Sequence, residues 1–354
     1  MDHRTVVRAV VFNCLRPIGL PRDSFHVSGF LNGAVMSGSV NQRLNSRALP
    51  SFLKSRGGWG QLFELKRSPF PHLHQIEPTN ACPYHCIMCP RGDRMRREIG
   101  YMPMHLFRKV IDETVAFPAP VKEKEVELFH FGESLLHPRI ADMNEYAAAR
   151  GLFTVLSVNA PELTESLAAK LVHGKAGRII VSMDGFDANS YQAIRGRRID
   201  FQRAVDNILA ATELIRTHRS STGLVVRMIS LYGSLHKTSE FETFWREKGI
   251  SSEIREFFPW GEPDMRELGA YDKYPPFMPC PFAWQYLVVQ WNGDVVACCR
   301  DYNGENVMGN VKEAGLVEIW NGKKYAEFRE NMVSGKYQNR ICKPCMDLYY
   351  TEES

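Results

Sequence analysis

Short apolar runs alternate with longer stretches of helical periodicity between residue 72 and about residue 260, and this alternation dominates the chain. The apolar runs are rich in β-branched and aromatic residues, which is typical of strands. They predict strands at 74–79, 125–131, 153–158, 179–183, 224–229 and 253–257. The stretches between them predict helices at 105–115, 139–150, 163–172, 201–217 and 239–248.

Six strand–helix repeats of this kind form a parallel sheet with right-handed crossovers. They fall short of the eight units that close a complete barrel. The predicted fold class is therefore α/β: a partial (β/α)6 barrel that stays curved and partly open. Such a barrel has a lateral mouth through which a large substrate can enter.

The pattern changes after about residue 262, where Pro and Gly become dense and the alternation is lost. Two apolar runs, WQYLVVQW and DVVACC, then flank Asn292 and Gly293. Asn-Gly favours a tight turn with positive φ at both positions, so these runs predict a β-hairpin. A helix is predicted next, at about 314–332.

Three segments follow from this division of the chain. Residues 1–70 form a poorly patterned N-terminal extension, and residues 71–262 form the α/β core. Residues 263–354 form a small hairpin-plus-helix domain, which we expect bound metal to stabilise as much as its own core does.

Composition and charge are those of an ordinary soluble globular protein. Of the 354 residues, 44% are hydrophobic and 24% are charged, and the formal net charge is +4. This balance gives no sign of a basic surface for nucleic acid. No stretch approaches 18 uncharged apolar residues, and the first 20 residues lack the cleavage site of a signal peptide. We therefore expect a cytoplasmic protein with no membrane partner.

The cysteines carry the most chemical information. They lie at positions 14, 82, 86, 89, 280, 298, 299, 342 and 345. An odd number without a secretion signal disfavours a disulfide framework, whereas the grouping of eight of them is typical of metal ligation. Cys14 stands apart in the extension and is interpreted as a buried or idle thiol.

The first group forms a C-x3-C-x2-C motif in the sequence EPTNACPYHCIMCPRG, with Cys82, Cys86 and Cys89 directly after the first strand. Barrels of this kind carry their active sites at that edge. Three thiolates on a short loop can hold three irons of a cubane and leave the fourth iron open. A zinc site with a distant fourth ligand is the alternative.

This motif after a first strand resembles the signature of the radical S-adenosylmethionine (radical SAM) superfamily, over residues 72–260. The resemblance implies a [4Fe–4S] cluster whose open iron binds S-adenosylmethionine. It further implies reductive cleavage of that cofactor to methionine and a 5′-deoxyadenosyl radical. Met88 stands where the family often has an aromatic residue, and its backbone is expected to face adenine.

Further segments resemble the family's cofactor-binding positions. In FHFGESLLHP, Gly132 and Glu133 match the family's Gly-Gly-Glu segment, although Phe131 replaces the first Gly. The resemblance implies that Glu133 accepts a hydrogen bond from the methionine ammonium group, and such charge-assisted bonds are strong. The competing interpretation is a solvated carboxylate at a helix start.

Two more strand ends match the positions that bind ribose in the family. They are SVNAPEL, with Ser157 and Asn159, and VSMDG, with Ser182 and Asp184. Each is a common polar strand end when taken singly. The assignment to ribose binding depends on their occurrence at successive strands.

The second group places Cys280, Cys298, Cys342 and Cys345 at spacings that suit either zinc or a [4Fe–4S] cluster. The pattern C-x12-G-x4-C followed by C-x2-C resembles the SPASM extension of radical SAM enzymes, in its shorter twitch form. That resemblance implies one auxiliary [4Fe–4S] cluster. Cys299 neighbours Cys298 and is read as an inert thiol, a substitute ligand or a catalytic hydrogen donor to a substrate radical.

The resemblance implies an enzyme that abstracts hydrogen from a substrate C–H, and we expect dehydrogenation or epimerisation of a sugar- or cyclitol-type metabolite. Modification of a ribosomal peptide or protein is one alternative, and a non-catalytic iron–sulfur electron-transfer protein is another. The partners would be a small-molecule or peptide substrate and a reductase or flavodoxin-type electron donor. Arg255, Glu256 and Asp301 are candidates to face the substrate cavity and to accept a proton there.

Overall fold

A computed structural model of the chain describes residues 51–118, 125–196, 199–231, 238–260, 262, 265, 268 and 277–349. Its strands form one nine-stranded sheet in the order β6-β5-β4-β3-β2-β1-β7-β8-β9. They are β1 (His72–Ile76), β2 (Glu125–Glu127), β3 (Phe153–Asn159), β4 (Arg178–Ser182), β5 (Gly223–Ser230), β6 (Ser252–Glu256), β7 (Tyr286–Val289), β8 (Asp294–Val296) and β9 (Val307–Asn310).

Strands β1 to β6 are all parallel and lie in sequence order, so each connection crosses back over one face of the sheet. The connections and the C-terminal part carry α1 (Arg56–Lys66), α2 (Met104–Val115), α3 (Ile140–Ala149), α4 (Glu165–His173), α5 (Ala188–Arg195), α6 (Phe201–Thr217), α7 (Thr238–Glu247), α8 (Leu316–Asn321), α9 (Lys323–Ser334) and α10 (Cys342–Tyr349). The predicted α/β fold class with six parallel strands is confirmed. Within the described residues, no helix has the length and apolar character needed to cross a bilayer.

The two faces of the sheet differ because side chains alternate along each strand. One face packs against the helices through residues such as Val126, Val158 and Val226, all fully or almost fully buried. The other face lines the inside of the curved sheet, which we call the lumen. The helix-facing side therefore supplies the core, and polar residues are placed on the lumen side.

The C-terminal hairpin extends this same sheet. Strand β7 pairs in parallel with β1, from His72 opposite Tyr286 to Ile76 opposite Val289, and β8 and β9 add antiparallel strands. The two segments of the chain are thus joined by a continuous hydrogen-bonded sheet. The boundary that we place near residue 262 remains a prediction.

The hairpin turn differs from the predicted type. Gly293 has φ of +92°, but Asn292 is not among the described residues that have positive φ. Gly293 N donates to Gln290 O at 2.8 Å, and Gln290 N donates to Asp294 O at 2.8 Å. The loop therefore has three residues with glycine in the left-handed position, a connection that tolerates an ordinary φ at Asn292.

The predicted helix at 314–332 is two helices, α8 and α9. Gly322 separates them, with an extended backbone at φ −72° and ψ 168°. On the other side of α9, helix α1 of the extension packs closely, with Gly60 against Val333. Trp284 Nε1 also donates to Glu64 at 2.9 Å. The end of the extension is therefore part of the C-terminal packing, while Cys14 lies outside the described residues.

One buried carboxylate joins three segments of the fold. Glu77, directly after β1, is fully buried and accepts hydrogen bonds from both terminal nitrogens of Arg97, at 2.8 and 2.7 Å. Its oxygens also lie 3.3 Å from His130 Nδ1, 3.3 Å from Phe131 N and 3.2 Å from Trp291 N. Burial by itself would raise the pKa of Glu77, but Arg97 and His130 bring it to about 2.

We expect Glu77→Gln to lower the free energy of unfolding at neutral pH. A folded-state pKa of about 2 against the ordinary 4.5 corresponds to a stabilisation of about 3 kcal/mol. Because the pKa is depressed, this contribution is present above pH 4.5 and fades as the pH falls towards 2. Urea unfolding at pH 7 measures the difference. The matched surface variant Glu327→Gln removes a loose pair with Lys323 and should change stability little. Equal stability of the two variants would contradict the role given to Glu77.

Candidate functional site

Cys82, Cys86 and Cys89 lie together on the loop between β1 and α2. Cys89 N donates to Cys86 O at 3.0 Å, and Ile87 N donates to Ile194 O at 2.9 Å, so α5 anchors the middle of the loop. Burial raises the pKa of Cys82 to about 12 and that of Cys89 to about 11, and the charge of Cys86 acts on both. A metal that binds these sulfurs has to displace their protons, and three neighbouring thiols suit an iron–sulfur cluster.

The residues just before the first cysteine fix the shape of this loop. Thr79 Oγ1 donates to Gly100 O at 2.6 Å. The Asn80 side chain accepts from Gly100 N at 2.9 Å and donates to Glu98 O at 2.8 Å. The side chains of Thr79 and Asn80 therefore join the start of the cysteine loop to residues near its end through hydrogen bonds. Short polar side chains such as these are needed directly before the motif.

Gly132 brings the segment after β2 into contact with the cysteine loop. Its φ is +145°, and a Cβ at this position would lie 2.3 Å from Thr79 O. The next residue, Glu133, donates its N–H to Ala81 O at 2.7 Å. Glycine is thus required both by the backbone conformation and by the close approach.

The Glu133 carboxylate is fully buried beside this loop. One oxygen accepts from Leu135 N at 2.9 Å, and the other accepts from Asn159 N at 2.7 Å and Asn159 Nδ2 at 2.6 Å. A carboxylate has about four acceptor positions, so three donors leave one free. Burial raises the pKa of Glu133 to about 7, and these neutral donors only partly oppose it. A cationic group of a ligand, such as an ammonium, fits the remaining position.

Asn159 and Asp184 belong to one buried polar chain. The Arg195 guanidinium donates to Asn159 Oδ1 and pairs with Asp184, whose other oxygen accepts from Ile229 N at 2.7 Å. The charge of Arg195 also acts on the Cys86 thiol. Sequence reasoning missed Arg195, because it ends a helix that was not predicted and no motif marks it.

Ser157 and Ser182 lie on the lumen face near the same edge. Asn159 is paired in register with Ser182 across β3 and β4, and Ser157 lies two residues before Asn159. Both serines are partly exposed. The structure therefore brings together the four residues expected to bind ribose, while that role remains a prediction.

Met88 is buried, and its carbonyl oxygen accepts a hydrogen bond from Trp260 Nε1 at 2.9 Å. Trp260 has φ of +54° and packs edge-on against Phe131, with ring centroids 5.2 Å apart. The backbone of Met88 is expected to face adenine, and its carbonyl keeps a second lone pair for such a contact. No motif in the sequence marks the indole partner.

The second group of cysteines gathers at the start of α10. Cys342 N donates to Asn339 Oδ1 at 2.6 Å, and Arg300 Nη1 donates to Cys345 Sγ at 3.0 Å. Burial raises the pKa of Cys280, and the charges of Cys345 and Cys342 raise it further. The charge of Cys280 acts in turn on Cys298. A guanidinium among four thiolates fits a cluster that carries net negative charge.

Cys299 has different neighbours from Cys298. Its sulfur lies 3.3 Å from Tyr286 Oη, and its charge acts on His74, on the lumen side of β1. Its carbonyl lies 2.9 Å from His130 Nε2. Among the described residues, no three His, Cys, Asp or Glu side chains converge closely enough for a single metal ion. A cubane needs no such convergence, because each thiolate binds a different iron.

Two of the three candidate proton acceptors are placed away from the lumen. Asp301 is fully buried, and its oxygens accept from Glu305 N at 2.8 Å and Asn306 N at 2.7 Å, which closes a loop. Glu256 is exposed and lies on the strand face opposite to Arg255, since successive residues alternate. The expectation that all three face the cavity is therefore wrong for Asp301 and Glu256. Arg255 remains a candidate to face the cavity.

Comparison with protein families matches two of them to this chain. The radical SAM superfamily matches residues 76–229, and an iron-sulfur cluster-binding domain, SPASM, matches residues 280–346. Together they span more than half of the sequence. The first range contains the first three grouped cysteines, and the second contains the later group.

Three known proteins illustrate the similarity. A tungsten-containing aldehyde ferredoxin oxidoreductase cofactor-modifying protein from Pyrococcus furiosus is 23% identical, over 76% of this chain and 86% of its own. An S-adenosyl-L-methionine-dependent 2-deoxy-scyllo-inosamine dehydrogenase from Niallia circulans is 33% identical over 78 residues, which are 22% of this chain and 31% of that protein. The crystal structure of Streptococcus suis SuiB bound to precursor peptide SuiA has a TM-score of 0.59 and 13% identity, covering 95% of this chain and 82% of that one.

If each cysteine group holds one four-iron cluster, anaerobic reconstitution should give about eight irons per chain. Replacing Cys82, Cys86 and Cys89 together by Ala should halve the iron content, and so should Cys342→Ala with Cys345→Ala. Cys299→Ala is the matched control and should keep all of the iron. Zinc in the wild-type protein, or loss of iron in the control, would contradict the assignment.

Proposed function

Because the chain belongs to the radical SAM superfamily and carries a SPASM domain, we propose that it abstracts a hydrogen atom from a carbon of a polar small molecule. Family membership brings two cofactors, S-adenosylmethionine and [4Fe–4S] clusters. When bound, they supply a 5′-deoxyadenosyl radical, and the protein supplies position and electrostatics. Our assignment gives one cluster to Cys82, Cys86 and Cys89.

The observation that carries this proposal is the buried, incompletely paired Glu133 carboxylate beside the cysteine loop. In our proposal its free acceptor position receives the methionine ammonium group, while Gly132 permits the close approach. Asn159 and Arg195 hold Glu133 and Asp184 in place through buried hydrogen bonds. A purely electron-transferring iron–sulfur protein has no use for such a carboxylate, which disfavours that alternative.

Glu133→Gln tests this assignment directly. The variant keeps the shape of the side chain but loses its charge, so S-adenosylmethionine should bind about 1–3 kcal/mol more weakly, the range for hydrogen bonds to charged groups. Equilibrium binding to the iron-loaded protein measures the difference. Glu165→Gln, at an exposed position in the first turn of α4, serves as control. Equal affinity of wild type and Glu133→Gln would show that another group binds the ammonium.

We propose a carbinol carbon of a sugar- or cyclitol-type metabolite as the reacting group. The similarity to a cofactor-modifying protein and to a dehydrogenase supports a non-peptide substrate and dehydrogenation. After a hydrogen atom is abstracted, a carbinol radical gives up its hydroxyl proton and one electron when it becomes a carbonyl. A proton acceptor is therefore needed, and the auxiliary cluster that Cys280, Cys298, Cys342 and Cys345 would hold would accept the electron. Glu127 lines the lumen with its side chain 23% exposed and replaces Asp301 and Glu256 as the candidate. His74 lies 3.8 Å from it, and against the effect of burial the charge of Glu127 raises the pKa of His74 to about 9, so this imidazole already holds its proton at neutral pH.

Peptide modification is the second candidate, and the SuiB structure with its precursor peptide supports it. That similarity, at 13% identity, concerns the fold. An open mouth in a partial barrel can admit either kind of substrate. For electron supply, we propose a reductase or flavodoxin-type donor in both cases.

Anaerobic turnover of a polyol panel in D2O separates the small-molecule reactions. Dehydrogenation should give a product lighter by two hydrogens, whereas epimerisation should place deuterium on the product carbon. Cys299→Ala should spare dehydrogenation, since Cys299 is the candidate hydrogen donor only for epimerisation. Mass spectrometry distinguishes these outcomes. Turnover of a peptide alone, with none of a small molecule, would overturn the carbinol proposal.

A further inference from the structure

The lumen of this barrel is lined with charged side chains. On β2, β5 and β6, the residues Val126, Val226 and Ile254 pack towards the helices. Their strand neighbours therefore point the other way, and in β5 and β6 the charged ones are Arg227, Glu253 and Arg255, beside the apolar Val225. Barrel interiors are ordinarily filled by bulky apolar side chains. The charged side chains in this lumen depart from that arrangement.

These charged side chains remain accessible. The exposed fractions are 18% for Arg227, 25% for Glu253 and 36% for Arg255. Charges removed completely from water are costly unless they are paired, and partial exposure leaves these three side chains open to water or to a polar ligand.

The β5–β6 wall carries excess positive charge. Arg227 Nε donates to Glu253 Oε1 at 2.6 Å, whereas Arg255 Nη2 lies 3.7 Å from Glu253 Oε2. Two guanidinium groups thus share one carboxylate, and Arg227 has the better contact. Burial, followed by the charge of Arg227, lowers the pKa of Arg255, and Arg178 contributes in the same direction. The guanidinium stays charged, and its ion-pair partner among the described residues is Glu253, a carboxylate that Arg227 binds more closely.

The wall on β1 and β2 is acidic. Glu127 Oε2 accepts from Gln75 Nε2 at 2.7 Å and lies 3.8 Å from His74 Nε2. The charge of Glu127 also acts on Arg255, although three strands separate β2 from β6 in the sheet. The two walls therefore interact electrostatically across the sheet.

We propose that Arg255 binds an anionic oxyacid group, a carboxylate or a phosphate, on the substrate. The inference rests on the proposed function, whose substrate class it narrows from any polar metabolite to a hydroxylated acid or phosphate ester. A guanidinium presents a planar fork that matches such a group with two parallel hydrogen bonds. Arg227 is already engaged by Glu253, so Arg255 is the arginine of this wall that a ligand can reach.

The test titrates inorganic phosphate and, separately, acetate into the iron-loaded protein by calorimetry at low ionic strength. At least one anion should bind, and Arg255→Gln should weaken that binding about tenfold or more. Binding of phosphate alone identifies a phosphate site, and binding of acetate alone identifies a carboxylate site. Neutral glycerol should give no heat that depends on Arg255.

Two further variants keep the test decisive. Arg216→Gln changes a guanidinium that is 74% exposed on α6 and paired with Glu213, and it should leave anion affinity unchanged. Arg255→Lys keeps the charge without the fork, so its affinity should lie between wild type and Arg255→Gln. Absence of anion binding to wild type, or equal weakening in Arg255→Gln and Arg216→Gln, would overturn the proposal.

Cofactor cleavage measured on the same samples separates this inference from the proposed function. Formation of 5′-deoxyadenosine without anion binding would remove the Arg255 site and leave the radical reaction standing. Anion binding without any cofactor cleavage would leave the Arg255 site standing and remove the radical reaction.

Discussion

The ion pair between Glu77 and Arg97 is the constraint on which the arrangement of the two cysteine groups depends. A fully buried carboxylate is costly unless it is paired and hydrogen-bonded, and here its partners come from separate segments. Arg97 follows the first cysteine loop, while Trp291 belongs to the hairpin. His130 completes the link, since its ring also contacts the Cys299 carbonyl. Loss of this pair would weaken the junction between the cysteine loop and the hairpin, which the pairing of β1 with β7 would still hold together.

On the lumen side of the sheet, the polar groups near the cysteine loop differ in kind from those farther from it. Near the cysteine loop, Glu133, Asn159 and Arg195 form a buried chain of hydrogen bonds with one acceptor position left open. Deeper in the lumen, accessible charges such as Glu127 and Arg255 act on one another. The first region suits a cofactor of fixed chemistry, and the second suits a polar substrate. A fold of this class hosts many reactions, so the charges of the lumen say more about the substrate than the topology does.

Much of this arrangement could be predicted from the chain, because it depends on local patterns. Alternating apolar runs predicted β1 to β6, and the cysteine spacings predicted both groups of thiols. The missed features depend on contacts between distant residues. Glu77 and Arg97 are 20 residues apart and form no motif, and the Trp260 bond to Met88 spans 172 residues. Strand β9 was missed because VMGN is short and becomes a strand by pairing with β8. The hairpin turn was mistaken because Asn-Gly also suits a three-residue loop.

The most direct test of radical SAM chemistry in this chain is the reductive cleavage of its cofactor. The reconstituted protein is incubated anaerobically with S-adenosylmethionine, with and without dithionite, and 5′-deoxyadenosine and methionine are quantified. Equal amounts of both products are expected, formed only with reductant. Full iron loading with no 5′-deoxyadenosine formed under reduction would contradict the central claim.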